Sequence, residues 1–448
     1  MRCKVVGLGA FAVSASFFWS GCSRSHASTA IAHSSPIYVP FLKGDVRGVL
    51  YKPDSGPAPH IAILHIARSA HTLSDVPNKE LAERGFMVLA MNPRDNAAPH
   101  NVNPSRINFE DGALDVKAGV EFLRKQPGIT KLILYAGSGA GTYISLYQAV
   151  AEKGESFCKD PKKLSQCGDG FAGFHPADGI VFRDAIQGNS IISLRHINPA
   201  VIDEDPRKID PSLDPYNPKN GYNPNGPSHY SEEFQKRYYK AQAARMNRLI
   251  DVAQQRLAQI KAGKGPYPDD DAFIIPRAEH AWLAGLDPSI DSRTLMPEKL
   301  LKNDGTIVTQ IVKTVRPPEP EWAKDDASFT IGAHFLTLKS FLSMHAIRAT
   351  DSESQESIDD CSSNNSTLCA LRNISIPVLL TAMSGNTLIR ENEIQYEAAA
   401  SKDKDFVVIE GATHMVEPCT KCESHPDQYS NTMKNFCDYV AKWINARF

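Results

Sequence analysis

The chain has almost no charge imbalance, since 49 Lys and Arg against 51 Asp and Glu leave a formal net charge of −2 over 448 residues. Nucleic-acid binders concentrate positive charge to neutralise phosphates, so no nucleic-acid partner is expected. Beyond its N-terminus the sequence lacks an apolar run of membrane-spanning length, which takes about 20 residues. It also lacks an internal repeat of the kind that builds solenoids. Aspartates cluster locally, as at 269–271, but without the ligand spacing of an EF-hand loop, and they suit solvated turns. Zinc is little better supported. Cys419 and Cys422 have the spacing of a ligand pair, yet only His425 and Cys437 stand close enough in sequence to complete a site.

The sequence opens MRCKVVGLGAFAVSASFFWSGCSRSHAS. Two early basic residues, a short apolar run and then small residues are the anatomy of a secretory signal, so residues 1–27 are set aside from the fold, with cleavage expected after Ala27. Trp19-Ser20-Gly21-Cys22 has the layout of a lipoprotein signal ending at residue 21, which would leave Cys22 acylated and the protein anchored to a membrane; Trp19 stands where an aliphatic residue is usual. The expected location is therefore secreted, periplasmic or envelope-anchored. In that oxidising setting Cys158 with Cys167, and Cys361 with Cys369, are spaced to staple short loops.

The densest signal is KLILYAGSGAGTYISLYQ, residues 131–148: a buried strand, a turn of small residues around Ser138, then a helix. A nucleophile elbow has this form, because the backbone turns too sharply for large residues two positions either side of the serine. Ala136 and Ala140 meet that demand. Around it, 37–42 and 46–51 read as a hairpin, and 60–66, 86–91, 179–182, 376–383 and 406–409 as strands. Helices are expected over 73–84, 109–126 and about 427–446. Strands alternating with helices at this spacing imply a mainly parallel sheet covered on both faces. The stretch 186–350 interrupts the alternation. It begins with turn-rich Pro, Asn, Asp and Gly, continues into a long amphipathic helix over 231–262, and carries a further expected helix over 335–347. We assign 36–185 and 351–448 to one core, 186–350 to an inserted cap, and 350–366 to a mobile boundary loop.

The segments IAILHIARSAHT, ELAERGFMVLAMNPR, YAGSGAG, IPVLLTAMSGNTLI and VVIEGATHMVEP resemble, in order and spacing, the α/β-hydrolase superfamily of serine esterases and lipases, at both ends of the chain but not in the cap. The resemblance implies a nucleophile at Ser138, a catalytic base at His414, and an oxyanion hole from the N–H groups of Ala67 and Gly139. His65-Ile66 replaces the family's usual His-Gly, and His65 is expected to shape the oxyanion loop. The acid departs from the pattern. The family's aspartate position falls on Asn386, whereas Phe182-Arg183-Asp184-Ala185 resembles members whose acid sits one strand earlier; Glu391 and Glu393 are further candidates. Against the leading choice, Ser138, Asp184 and His414, stands a reading in which Asp184 only pairs with Arg183 or caps the cap's first turn.

These readings imply an exported serine hydrolase acting on small-molecule or oligomeric esters through an acyl-enzyme, with no cofactor or metal, and with a partly enclosed pocket set by the cap. Peptide, lactone or carbon–carbon bond hydrolysis would use the same serine and histidine. A binding protein that had lost its acid would explain Asn386 in another way.

Overall fold

The computed structural model describes residues 33–43, 46–68, 72–94, 108–290, 293–317 and 322–448. The leader expected over 1–27, and the Cys22 anchor with it, lie outside the described residues.

Ten strands form the central sheet: β1 (Ser34–Lys43), β2 (Val46–Pro53), β3 (Ile61–Ile66), β4 (Met87–Asn92), β5 (Lys131–Ser138), β6 (Gly179–Ala185), β7 (Glu298–Leu301), β8 (Ile307–Gln310), β9 (Val378–Met383) and β10 (Lys404–Ile409). Their order across the sheet is β1-β2-β4-β3-β5-β6-β9-β10-β7-β8. β2 is antiparallel to both its neighbours, and β4, β3, β5, β6, β9, β10 and β7 run parallel, with β8 antiparallel at the edge. The first eight strands in that order have the arrangement of the α/β-hydrolase fold, as the resemblance implied. β3, β4 and β9 are buried at every position, which is why they read as unbroken apolar runs instead of alternating ones.

Side-chain alternation along each strand feeds two cores. On β3, Ala62, Leu64 and Ile66 join one, with α2 (Asp111–Arg124) and α3 (Gly141–Lys153); Ile61 and Ile63 join the other, with α1 (Val76–Glu83) and the C-terminal helix Thr432–Asn445. Beyond β6, α4 (Asn189–His196) packs through Ile191 and Leu194 on α5 (Glu232–Lys261) and on Phe341 and Leu342 in a separate apolar cluster. α5 has the start its sequence announces: Ser231 caps it by accepting from the Phe234 N–H at 3.2 Å, and Glu232 and Glu233 sit in its first turn.

Three expectations are corrected. Residues 186–350 are not cap throughout, because β7 pairs in parallel with β10 and β8 closes the edge, so the chain returns to the central sheet within that stretch. Only four residues long, with Leu300 and Leu301 side by side, β7 carries no period by which a strand could be recognised. The expected helix over 335–347 begins as a strand, His334–Thr337, paired with Ala272–Ile275, and turns helical at Leu338 behind a Thr337–Ser340 capping box. Finally, 350–366 is polar but packed: Ser352, Asp360 and Ser362 to Ser366 are buried. Their hydrogen bonds explain how polar residues sit inside; the Asn364 amide, for example, donates to the Cys158 and Ser165 carbonyls.

Disulfides join Cys158 to Cys167 and Cys361 to Cys369. Cys419 and Cys422 are joined as well, which withdraws them as zinc ligands. Cys437 is free and buried.

Candidate active site

β5 ends on Ser138 with φ at 50°. A non-glycine residue in this left-handed region is uncommon and strained by about 1–3 kcal/mol. The packing around it leaves little alternative. Ala136 and Ala140 are fully buried. A Cβ on Gly137 would lie 2.7 Å from the Arg183 Nε, and one on Gly141 would lie 2.7 Å from the Ala185 Cβ. The elbow is thus pressed onto β6. After a shift in register Ser138 stands opposite Ala185, and its carbonyl accepts from the Ile186 N–H at 3.4 Å. The half-exposed serine sits at the carboxyl ends of the parallel strands, where open α/β sheets place their sites.

The neighbouring strand end carries the acid. Asp184 is fully buried and also has a positive φ, 46°. Its Oδ2 lies 2.7 Å from Nδ1 of His414, which stands on the turn after β10. The same oxygen accepts from the Asn386 amide at 2.6 Å, and Oδ1 accepts from the Met383 N–H at 3.2 Å. A carboxylate can only accept, so the His414 proton sits on Nδ1 and Nε2 keeps its lone pair. Asn386 Nδ2 is 3.2 Å from His414 Nδ1; with Nδ1 protonated, that contact joins two donors and is not a hydrogen bond. Arg316 settles which way the Asn386 amide faces. Its Nη1 donates to Asn386 Oδ1 at 2.9 Å, and a guanidinium has no acceptor, so Nδ2 must face Asp184.

Of the four candidate acids, Asp184 and Asn386 meet at His414. Glu391 instead pairs with Arg195 at 3.2 Å, and Glu393 accepts from the Leu295 and Met296 N–H groups. Nor is Asp184 merely the partner of Arg183. The Arg183 guanidinium lies beneath the elbow, 3.7 Å from Asp75 and over the face of Tyr135. His65 is buried in the same layer, its Nδ1 donating at 2.6 Å to Asn78 Oδ1, whose amide nitrogen donates to the Thr72 carbonyl. Burial, reinforced by the Arg183 charge, pushes its pKa down to about 3, so it is a neutral structural group under the oxyanion loop.

Ala67 is buried just beyond β3, and Gly139 follows Ser138 just before α3. Among the described residues, neither N–H has a hydrogen-bond acceptor. The oxyanion loop continues into 69–71, outside the described residues. Arg316 went unrecognised in the sequence: it belongs to the stretch read as cap, and no local pattern connects it to Asn386.

No family model matches the sequence, and no curated protein matches it. Solved structures do. It is similar to a brefeldin A esterase described as a bacterial homologue of human hormone-sensitive lipase, at 11% identity over 97% of this chain and 81% of that one, with a TM-score of 0.39. It is also similar to the siderophore hydrolase EstB from Aspergillus fumigatus, at 10% identity over 92% of this chain and 97% of that one, TM-score 0.43. A third is Est1E from Butyrivibrio proteoclasticus, at 10% identity over 92% of this chain and 100% of that one, TM-score 0.39. Likenesses this distant add nothing about substrate. The strand order and the elbow define a protein of the α/β-hydrolase fold, and its function has to be argued from the residues at the strand ends.

Proposed function

We propose that the protein is an exported serine hydrolase that cleaves carboxylic esters through an acyl-enzyme on Ser138. The observation that carries this reading is the 2.7 Å contact between Asp184 Oδ2 and His414 Nδ1, next to a strand end that holds Ser138 at φ 50°. With Nδ1 hydrogen-bonded to Asp184, His414 Nε2 takes the serine proton as Oγ attacks the ester carbonyl. The N–H groups of Gly139 and Ala67 then receive the charge on the tetrahedral oxygen. Collapse of that intermediate expels the alcohol, which leaves with the proton His414 took from the serine, and a water activated by the same nitrogen releases the acid. Asp184 stabilises the imidazolium in both halves. The case for a binding protein rested on a missing acid, and a buried carboxylate on His414 removes its motive. The N-terminal sequence and three disulfides support export.

Pre-steady-state hydrolysis of p-nitrophenyl acetate tests this. The expected result is a burst of one p-nitrophenol per protein and a loss of at least about 10³-fold in kcat for Ser138→Ala. Turnover by Ser138→Ala at the wild-type rate would contradict the proposal.

A further inference from the structure

A Cβ built on Gly139 would lie 3.3 Å from Asn189 Nδ2, 3.4 Å from Asn189 Oδ1 and 3.6 Å from Arg68 Cδ. Arg68 follows Ala67 in the loop after β3, and Asn189 is the first residue of α4. The space beside Gly139 is therefore bounded by the elbow, the loop that presents the Ala67 N–H, and the start of α4. Gly139 is not among the glycines with a positive φ, and it leads straight into α3.

Asn189 Nδ2 is buried and, among the described residues, has no hydrogen-bond acceptor. An unpaired buried amide of this kind is unfavourable by about 1–3 kcal/mol, and such groups call for an explanation. The residue is not loosely placed. Its backbone N–H donates to Asn365 Oδ1 at 3.1 Å, and the next residue's hydroxyl, Ser190 Oγ, donates to the Asn365 carbonyl at 2.6 Å. The Asn189 backbone is thus fixed with its amide packed against Gly139, whose N–H is one of the two proposed oxyanion donors.

We infer that Asn189 Nδ2 is a third oxyanion donor, binding the carbonyl oxygen of the ester and binding it more strongly as that oxygen becomes an anion. The assignment rests on Ser138 being the nucleophile. A side chain at 139 would press on this amide, which would have to give by a few tenths of an ångström. The assignment also joins two functions in one segment, because Asp184 ends β6 and Asn189 opens the helix that follows.

A fixed donor aimed at developing charge contributes to kcat and little to ground-state binding. The test measures kcat and KM for p-nitrophenyl acetate, together with the rate of fluorophosphonate labelling, on the full mature protein, Asn189→Ala and Asn189→Asp, each with its melting temperature. Asn189→Ala is expected to lose about 10²–10³-fold in kcat, with KM changed less than about threefold and labelling slowed in parallel. Asn189→Asp, which sets a carboxylate against the oxyanion, is expected to lose more than Asn189→Ala. Equal kcat for wild type and Asn189→Ala, or an Asn189→Asp faster than Asn189→Ala, overturns the assignment while leaving the Ser138 reading intact. Wild-type protein that takes up no fluorophosphonate overturns both.

Discussion

Asn386 occupies the position where the resemblance leads one to expect the acid, and Arg316 fixes what it does there. With Oδ1 taken by the guanidinium, the amide nitrogen donates to Asp184 and helps hold that carboxylate against His414. Restoring a carboxylate at 386 would not restore a triad. It would place two carboxyl oxygens about 2.6 Å apart, where both cannot be ionised. Asn386→Ala, which removes one hydrogen bond to a charged group, is expected to lower kcat by about tenfold, and Asn386→Asp to lower it further, by about 10²-fold. Steady-state kinetics on the two variants decides this; an Asn386→Asp as fast as wild type would mean that the acid belongs at 386. The sequence placed Ser138, Asp184, Asn386 and His414 in one candidate set because each follows a recognisable strand. It could not choose between 184 and 386, since the choice depends on Arg316 and the Met383 N–H, both distant in sequence from Asp184. Asn189 had no signal at all, because an unpaired donor is visible only once its neighbours are in place.

At the scale of elements, what was legible followed from burial. Strands covered on both faces declare themselves as apolar runs, and β3, β4, β9 and the elbow were readable for that reason. α5 was readable to within a residue at each end because a 30-residue amphipathic helix averages out local noise and Ser231 marks its start. Short pieces were not. β7 and β8 gain their structure from the edge of β10, and β8 is exposed along its whole length, so neither carries a pattern of its own. The segment 350–366 misled for a different physical reason: composition reports polarity, not burial, and the Asn364 and Asn365 amides donate to the Ser165 and Met344 carbonyls, far away in sequence.

At the scale of the whole molecule, three histidines among the described residues are held neutral, His65 fully buried and His196 and His345 partly so. Burial, with Arg183 nearby, pushes His65 down to about 3; burial pushes His196 down to about 4 and His345 well below its ordinary value. In the unfolded chain each titrates near 6.5. Below that pH the unfolded chain binds protons that the folded one refuses, so stability is complete above about 6.5 and is lost as pH falls towards 4, by about 1.4 kcal/mol per pH unit for each histidine. Glu298, pushed up to about 7 by burial and by Glu393, works in the opposite direction, as do the carboxyls of Asp75, Glu110, Asp326 and Asp360, which burial raises. Urea unfolding at pH 7.5 and pH 5.0 is expected to show a clear loss of stability at the lower pH; equal midpoints would contradict it. The account as a whole depends on Ser138 being a nucleophile activated through His414 by Asp184, and the most direct measurement is the intact mass of the mature protein after fluorophosphonate treatment, with the adduct mapped to its peptide. The prediction is one adduct on wild type at Ser138, none on Ser138→Ala, and labelling of Asp184→Asn slowed by about 10³–10⁴-fold. Wild type without an adduct, or Asp184→Asn labelled as fast as wild type, would contradict it.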